Sequence, residues 1–275
     1  MAQKVWFVTG ASRGFGAQIA KAILAAGDRL VATARKAEAL SYLSQQDNLL
    51  PLALDVTDEK QARQAVDAAL ARFGRIDVLV NNAGYGILGA VEETSATEVE
   101  NVYRTNVFGS LNLIRAVLPA MRQQRSGHII NISSIGGYGA YAGWGVYGST
   151  KFAIEGITEA LHAELAPLGI HATVVEPGFF RTDFLDPSSL VTTRSRLDDY
   201  AETVGRTRDF AGGHSGQQPG DPAKLAQAFL RLVNAPEPPL RLPLGTDTLA
   251  RIAEKNVFVE KELEQWRSLS VSTDF

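Results

Sequence analysis

Short β-branched runs alternate along the chain with longer stretches of helical periodicity, and this alternation limits the fold more than any other feature. Strands separated in this way by helices pair in parallel, through right-handed crossovers that leave helices on both faces of the sheet. The sequence therefore predicts an α/β fold with a doubly wound parallel sheet of about seven strands. The candidate strands are residues 5–9, 30–34, 50–54, 78–81, 129–133, 172–175 and 240–242.

The composition is that of an ordinary folded protein. Apolar residues make up 45% and charged residues 21% of the 275 residues, so we expect one domain spanning residues 1–275. Lys and Arg total 27 against 30 Asp and Glu, which gives a net charge of −3. Because there is no basic excess to attract nucleic acid or anionic lipid, we expect a small-molecule partner.

The sequence gives no support for metal or disulfide chemistry. It contains no cysteine, and its four histidines are scattered without the spacing of metal ligands. No segment holds the roughly 18 consecutive apolar residues of a membrane span. We therefore expect no metal, no membrane partner and a cytoplasmic location.

Two segments stand outside the regular alternation. Residues 183–220 lack sustained apolar periodicity, and a loop this long inside a compact domain is typical of a lid over a binding site. Residues 246–269 have a helical pattern and are expected to form a C-terminal extension that covers a sheet edge or contacts another subunit. Helix starts are expected at the Ser95 capping box, completed by Glu98, and at Asp221 before Pro222.

A glycine-rich turn follows the first strand and precedes a helix of apolar periodicity. Its three glycines have the spacing GxxxGxG. Glycine lets the backbone turn sharply and approach a pyrophosphate, and a helix N-terminus offers free N–H donors. A structural turn would also explain the glycines, but their place after the first strand favours a dinucleotide site. The residues of this turn expected to contact the cofactor are Gly10, Ser12, Arg13, Gly14, Phe15 and Gly16.

The end of the second strand indicates which dinucleotide binds. Sites for NAD commonly carry an acid about 20 residues after the glycines, where it bonds the ribose 2′-hydroxyl. This chain has Arg35 there instead. Arg35 and Arg13 can hold a 2′-phosphate through charge-assisted hydrogen bonds, so we expect NADP(H) as the cofactor. The alternative is that both arginines are solvated surface charges.

A tyrosine and a lysine begin a later amphipathic helix. The i, i+4 spacing of Tyr147 and Lys151 places phenol and ammonium on one helix face, where the cation is expected to lower the pKa of the phenol. Such a pair alone is more often a solvated helix face. Ser134 follows a strand thirteen residues earlier and can present its hydroxyl at the carboxyl edge of the sheet.

Together these motifs resemble the short-chain dehydrogenase/reductase family in its compact, single-domain branch. The resemblance covers about residues 4–183 and is greatest to bacterial ketone reductases, more distantly to hydroxysteroid and retinol dehydrogenases. It implies a Rossmann-type fold, an NADP-dependent oxidoreductase acting on carbonyls or alcohols, and a homodimer or homotetramer built on helices near 95–121 and 147–165. The matching motifs are Thr9-Gly10-x-x-x-Gly14-x-Gly16, Asp55, Asn81-Asn82-Ala83-Gly84, Asn106, Ser134, Tyr147-x-x-x-Lys151 and Pro177-Gly178 with Thr182.

The resemblance also implies catalytic roles. In reduction, Tyr147 would give its proton to the developing alkoxide while Ser134 hydrogen-bonds the same oxygen. Lys151 would bind the ribose hydroxyls, and Asn106 would link it to solvent through a water molecule. The adjacent Ser133 is the weaker candidate for the serine, because the thirteen-residue distance to Tyr147 favours Ser134.

Further cofactor contacts are implied at the ends of other strands. The implied contact residues are Asp55, Val56, Asn82, Ala83, Gly84, Pro177, Gly178, Phe180 and Thr182. Asp55 would accept a hydrogen bond from the adenine amino group, and Thr182 would help to hold the nicotinamide carboxamide.

Three other classes of protein share a glycine turn. A catalytically idle nucleotide sensor commonly lacks the tyrosine or the lysine. A sugar-nucleotide epimerase or dehydratase carries a longer C-terminal domain and a GxxGxxG turn, and a methyltransferase would leave the Ser, Tyr and Lys unexplained. The sequence favours the oxidoreductase over all three.

No motif identifies the substrate. Bulky apolar residues occupy loops expected to surround Tyr147, which indicates an apolar, mainly neutral substrate, unless they pack the loops onto the domain. These residues are Ile87, Leu88, Tyr138, Tyr141, Trp144, Phe179, Phe180 and Phe184. An inward-facing Arg181, Arg194 or Arg196 would instead favour an acidic or phosphopantetheine-bearing substrate.

Overall fold

Seven of the short hydrophobic runs form one parallel sheet in the computed structural model, which describes residues 3–275. The strands are β1 (Val5–Val8), β2 (Arg29–Ala34), β3 (Leu49–Ala53), β4 (Val78–Asn81), β5 (Gly86–Leu88), β6 (Gly127–Ile132), β7 (Ile170–Pro177), β8 (Leu190–Thr192) and β9 (Arg241–Leu244). The large sheet has the order β3-β2-β1-β4-β6-β7-β9, and β5 and β8 pair separately. The predicted Rossmann-type, doubly wound sheet is confirmed.

Helices cover both faces of the large sheet. The helices of the described residues are α1 (Gly14–Ala25), α2 (Glu59–Phe73), α3 (Ala96–Tyr103), α4 (Gly109–Gln124), α5 (Ile135–Tyr138), α6 (Gly145–Leu165), α7 (Arg206–Gly213), α8 (Pro222–Val233) and α9 (Thr246–Val271). Side chains of α1 and α8 fill one core, and those of α2, α4 and α6 fill the other. The alternation within β1 shows this directly, because Trp6 enters the first core and Phe7 the second.

Helix starts follow the local chemistry of the sequence. The predicted capping box of Ser95 and Glu98 begins α3, and Asp221 caps α8 ahead of its N1 proline. The helix expected over 95–121 is formed by α3 and α4, joined by a π-helical turn at Arg104–Phe108 that contains Asn106. Such turns occur frequently at functional sites.

The lid segment 183–220 contains more regular structure than its sequence pattern predicts. Strand β8 pairs with β5, and Ala211 of α7 packs with Leu190 and Leu88 in a small cluster. The apolar residues of the lid are few and widely spaced, so no periodicity in the sequence indicates β8 or α7. The lid is also fixed by the buried carboxylate of Glu93, which pairs with Arg208 of α7.

The predicted C-terminal helix, α9, is confirmed, and its two halves differ. At its start, Asp247 accepts a hydrogen bond from the backbone N–H of Phe179 at 2.7 Å, and Arg251 donates to the Ala140 carbonyl at 3.0 Å. After residue 256 the apolar side chains, among them Trp266, are exposed. Across residues 3–275, the helices are too short or too polar to span a membrane.

Candidate active site

The loops at the carboxyl edge of the sheet enclose two connected cavities. The larger, of about 630 Å³, extends from the glycine turn to Lys151. The smaller, of about 410 Å³, lies between Ser134 and the lid. Residues that line both are Phe15, Ser133, Tyr147, Thr182 and Phe184. Tyr147 therefore stands where the two cavities meet.

The glycine turn has the backbone that its sequence predicts. Gly10 and Gly14 lie in the left-handed region, with φ of +64° and +54°. A Cβ atom at Gly16 would lie 2.3 Å from the Gly10 carbonyl oxygen, so only glycine fits there. The Asn82 side chain donates to the carbonyls of Thr9 at 2.8 Å and Gly10 at 3.0 Å, which ties the segment after β4 to the turn.

The N-terminus of α1 is open to an anionic ligand. Unlike α2, α3 and α8, it has no capping side chain, and its first turn contains no acidic residue. Free N–H groups and the helix dipole at such an end favour a phosphate group. The residues of the turn therefore fit a pyrophosphate.

Most predicted cofactor residues line the larger cavity. They are Gly10, Ser12, Arg13, Gly14, Phe15, Arg35, Asp55, Val56, Asn82, Ala83, Gly84, Tyr147, Lys151 and Thr182. Pro177, Gly178 and Phe180 line the smaller cavity instead. Gly16 and Asn106 are not among the lining residues of either cavity, because Gly16 packs against Gly10 and Asn106 is buried.

Two arginines, Arg13 and Arg35, are among the lining residues of the larger cavity. Arg35 is exposed directly after β2, and Arg13 extends toward the lid, where its guanidinium donates to the Ser188 carbonyl. Arg104 of the π-helical turn also lines this cavity. The cavity thus offers cations at the position where an acid would exclude a 2′-phosphate.

Ser134 and Tyr147 are neighbours above β6. The Ser134 hydroxyl caps α5 by accepting from the Gly136 N–H at 3.1 Å. Burial raises the pKa of Tyr147 well above its ordinary value, and the hydrogen-bonding interaction with Ser134 opposes this effect. The direction is opposite to the lowered pKa expected from the sequence, because desolvation by burial is the largest contribution. The phenol is protonated at neutral pH and can act as a proton donor.

Lys151 lies one helical turn after Tyr147 and is buried. Its ammonium donates to the Ile132 carbonyl at 2.9 Å and lies 5.7 Å from the centre of the Tyr147 ring. Burial lowers the pKa of Lys151 to about 8, and the negative charge of Glu155 opposes this shift. Lysine and tyrosine therefore share one buried face of α6.

Asn106 joins three segments around the site. Its amide nitrogen donates to the Tyr85 carbonyl at 3.0 Å and to Thr150 Oγ1 at 3.1 Å, while its amide oxygen accepts from the Tyr85 N–H at 3.1 Å. The π-helical turn aims the side chain at these groups. These contacts hold the segment after β4 against α6, immediately beside Lys151.

The smaller cavity is mainly aromatic. Of the eight apolar residues expected around Tyr147, its walls include Tyr141, Trp144, Phe179, Phe180 and Phe184. Ile87 does not line the cavity, but it is buried in β5 and packs in one cluster with Tyr147. The expectation is wrong for Leu88, which is buried in β5, and for Tyr138, which lies under the guanidinium of Arg241. The ring centres of Trp144 and Phe184 lie 5.7 Å and 5.5 Å from that of Tyr147.

A model of the family described as short chain dehydrogenase matches residues 4–190. The chain belongs to the short-chain dehydrogenase family. Among its relatives, the oxidoreductase BOA17 of Botryotinia fuckeliana is 41% identical over 98% of this chain and 99% of its own length. The 3-ketodihydrosphingosine reductase of Bacteroides thetaiotaomicron is 36% identical over 97% of each chain. This short-chain dehydrogenase is accordingly an oxidoreductase.

Solved structures of the family share the fold. A short-chain dehydrogenase from Streptomyces avermitilis is 44% identical, with a TM-score of 0.93 over 99% of both chains. The NADP-bound structure of ElxO is 28% identical, with a TM-score of 0.75 over 90% of this chain and 100% of that chain.

The sequence did not identify the residues that this short-chain dehydrogenase contributes from its lid. Arg206, Thr207 and Phe210 of α7 line the smaller cavity, together with Gln218. The i, i+4 spacing of Arg206 and Phe210 is the signal that could have indicated a helix face. The arginine that lines the smaller cavity is Arg206, and the three candidates Arg181, Arg194 and Arg196 are absent from the walls of both cavities.

Proposed function

We propose that this short-chain dehydrogenase reduces apolar ketones, or oxidises the corresponding alcohols, with NADP(H) as cofactor and Tyr147 as general acid/base. The observation that carries the proposal is the position of Tyr147, a protonated and buried phenol between two cavities of different character. One cavity suits a phosphate-bearing dinucleotide, and the other suits an apolar substrate.

The residues of the larger cavity fit NADP(H). The uncapped start of α1 and the glycine turn suit the pyrophosphate, and Arg35 with Arg13 suits the 2′-phosphate. The NADP-bound ElxO structure, a relative of the same fold, supports this choice. Bound NADPH would supply the hydride.

Tyr147 would provide the proton in reduction. Its raised pKa keeps the phenol protonated at neutral pH, so it can donate Oη–H to an oxygen that gains negative charge. The neighbouring Ser134 hydroxyl would donate a second hydrogen bond to the same oxygen and stabilise that charge. Lys151 would hold the ribose hydroxyls and keep a positive charge near the phenol as it ionises. In alcohol oxidation the same groups act in reverse.

The aromatic walls of the smaller cavity support an apolar substrate. Pockets of this kind bind ligands mainly through apolar contact, with a few polar groups that fix orientation. Here Ser134 and Tyr147 would supply that orientation at the reacting carbonyl. One relative is named a 3-ketodihydrosphingosine reductase, and this name agrees with reduction of a ketone.

We also propose a homodimer or homotetramer. The family resemblance implies pairing through the long helices, and two exposed phenylalanines lie there, Phe108 beside α4 and Phe152 on α6, 52% and 44% exposed. Sedimentation at micromolar concentration measures this directly, and a mass equal to one 29.6 kDa chain contradicts it.

A panel of ketones and alcohols, assayed with NADPH and with NADH, tests the proposed function. We expect bulky apolar ketones to have a higher kcat/KM than small charged ketoacids, and NADPH to be preferred. A preference for ketoacids would reject the apolar substrate class. Equal kcat/KM with the two cofactors would reject the 2′-phosphate site.

A further inference from the structure

A cluster of buried charges lies directly behind Lys151. Glu155 follows it by one turn of α6, Glu176 belongs to β7, and Arg241 comes from the edge strand β9. The side chain of Glu176 is fully buried and that of Glu155 is 6% exposed. A carboxylate so far from water must be paired with a cation or carry a proton. The role proposed for Tyr147 and Lys151 does not by itself account for this cluster.

One guanidinium holds the cluster together. Nη1 of Arg241 donates to Glu176 at 2.5 Å and also to Glu155, while Nη2 pairs with Glu159 on the more exposed side. The two buried carboxyl groups are therefore neighbours, since both lie within hydrogen-bonding distance of one nitrogen atom.

The second oxygen of Glu155 lies near the Ser133 hydroxyl and the first side-chain carbon of Lys151. It lacks a hydrogen-bond partner, as does the buried Ser133 hydroxyl. A Cβ atom at Gly137 would lie 2.2 Å from Ser133 Oγ, 2.9 Å from Glu155 Oε1 and 3.1 Å from Lys151 Cβ. All three groups thus converge on the α-carbon of Gly137, where the absence of a side chain lets α5 close over them.

We propose that Glu155 is a positioning residue for Lys151. Its carboxylate, anchored by Arg241, holds the lysine ammonium in the charged form behind Tyr147. This inference rests on the role proposed above for Lys151. It also gives Arg241 a function, since without that cation the buried carboxyl group would become protonated and lose its effect on the lysine.

The titration behaviour of the cluster agrees with this geometry. Burial and the neighbouring Glu176 raise the pKa of Glu155 to about 7, while the charge of Arg241 opposes the rise. The charge of Glu155 in turn raises the pKa of Lys151 against the effect of burial, which leaves it at about 8.

Replacing Glu155 by glutamine removes the carboxylate that raises the pKa of Lys151, so the ammonium should lose its proton at a lower pH than in the wild-type protein. The expected shift is on the order of one pH unit, the size of effect that a close opposite charge produces. The alkaline limb of the reductase pH profile should move in the same direction.

The direct test is a pH titration of ¹³C-labelled lysine followed by NMR, with the Lys151 signal assigned by its loss in Lys151→Arg. We expect a wild-type midpoint near pH 8 and a lower midpoint in Glu155→Gln. Glu159→Gln is the matched control, because Glu159 bonds the same arginine but its side chain is 54% exposed. Its midpoint should stay at the wild-type value.

Two outcomes overturn the proposal. One is an unchanged Lys151 midpoint in folded Glu155→Gln, whatever happens to activity, since a uniform loss across pH would mark a structural role. The other applies if that variant does not fold: wild-type Lys151 must then show an inflection as the Glu155 carboxyl titrates near pH 7, and its absence overturns the proposal. Because the titration needs no turnover, failure of the proposed reductase function would be recognised separately by the substrate panel.

Discussion

The two cavities that meet at Tyr147 are built in different ways. The larger is formed at strand ends and at the start of α1. Its glycines and an asparagine are required for the backbone conformation of the turn, and its arginines are required for their charge. The smaller is formed largely by the lid and by aromatic side chains that could be exchanged for other bulky groups. Binding of a dinucleotide phosphate requires particular residues at fixed spacing. Binding of an apolar substrate requires only a pocket of sufficient volume.

The substitution expected to have the largest effect is Tyr147→Phe, at the residue where the two cavities meet. The variant keeps the aromatic ring but removes the proton donor, which typically contributes about 10²- to 10⁴-fold to turnover. We expect kcat to fall by that amount while the Kd of NADPH, measured by fluorescence titration, stays nearly unchanged. Activity within a factor of a few of wild type would remove Tyr147 from the mechanism.

Arg35→Asp addresses the larger cavity alone. A hydrogen bond to a charged group contributes about 1.5 to 3 kcal/mol, and the new acid adds repulsion toward a 2′-phosphate. NADPH binding should therefore weaken by at least about tenfold while NADH binding changes little. The ratio of the two kcat/KM values measures this, with Lys36→Asp as the neighbouring control. A parallel loss for both cofactors would mean that Arg35 does not contact the 2′-phosphate.

The difference between the two cavities also explains which features of the structure could be predicted from the sequence. The alternation of strands and helices along the chain and the caps at Ser95 and Asp221 follow from local patterns, and those predictions are confirmed. Strands β5 and β8 were not predicted, because three-residue strands leave no periodic signal. The raised pKa of Tyr147 depends on burial by distant segments, which spacing along a helix cannot show.

Long-range pairing was equally hidden from the sequence. Arg241 lies 65 residues after Glu176 and 86 after Glu155, and no local motif connects them. The lid was interpreted as a loop because the side chains that fix it pair with residues about a hundred positions earlier, such as Arg208 with Glu93. Sequence patterns therefore described the cofactor side of the site better than the substrate side.

Trp144→Ala tests the smaller cavity. Trp144 lines that cavity and not the larger one, and it packs against Tyr147 and Phe184. Burying an aromatic side chain contributes about 1.5 to 3 kcal/mol, so kcat/KM for bulky apolar ketones should fall by at least about tenfold. The Kd of NADPH should not change. Trp266→Ala, on the exposed half of α9, is the control, and an equal loss there would argue against a pocket effect.

The smallest expected effect concerns the lid, which Glu93 fixes to the rest of the molecule. Burial raises the pKa of Glu93, but N–H groups of Leu197 and Ala90 together with Arg208 outweigh this and leave the pKa below its usual value. The carboxylate therefore stabilises the lid near neutral pH, and this contribution is lost as pH falls through the lowered pKa of the folded protein. Arg208→Met should loosen the lid by leaving a buried charge unpaired.

Limited proteolysis at neutral pH measures that loosening. We expect cleavage within residues 183–220 to slow several-fold when NADPH and substrate are both present, because lids close over bound ligands and exclude water. The Arg208→Met variant should be cleaved faster than wild type. The ligands should slow its cleavage by a larger factor than they slow that of wild type, because the ligands must supply the order that Glu93 no longer provides. Arg196→Met, an exposed lid residue outside both cavities, should behave as wild type. Equal cleavage with and without ligands would mean that this segment, although it forms part of the smaller cavity, does not close during the reaction.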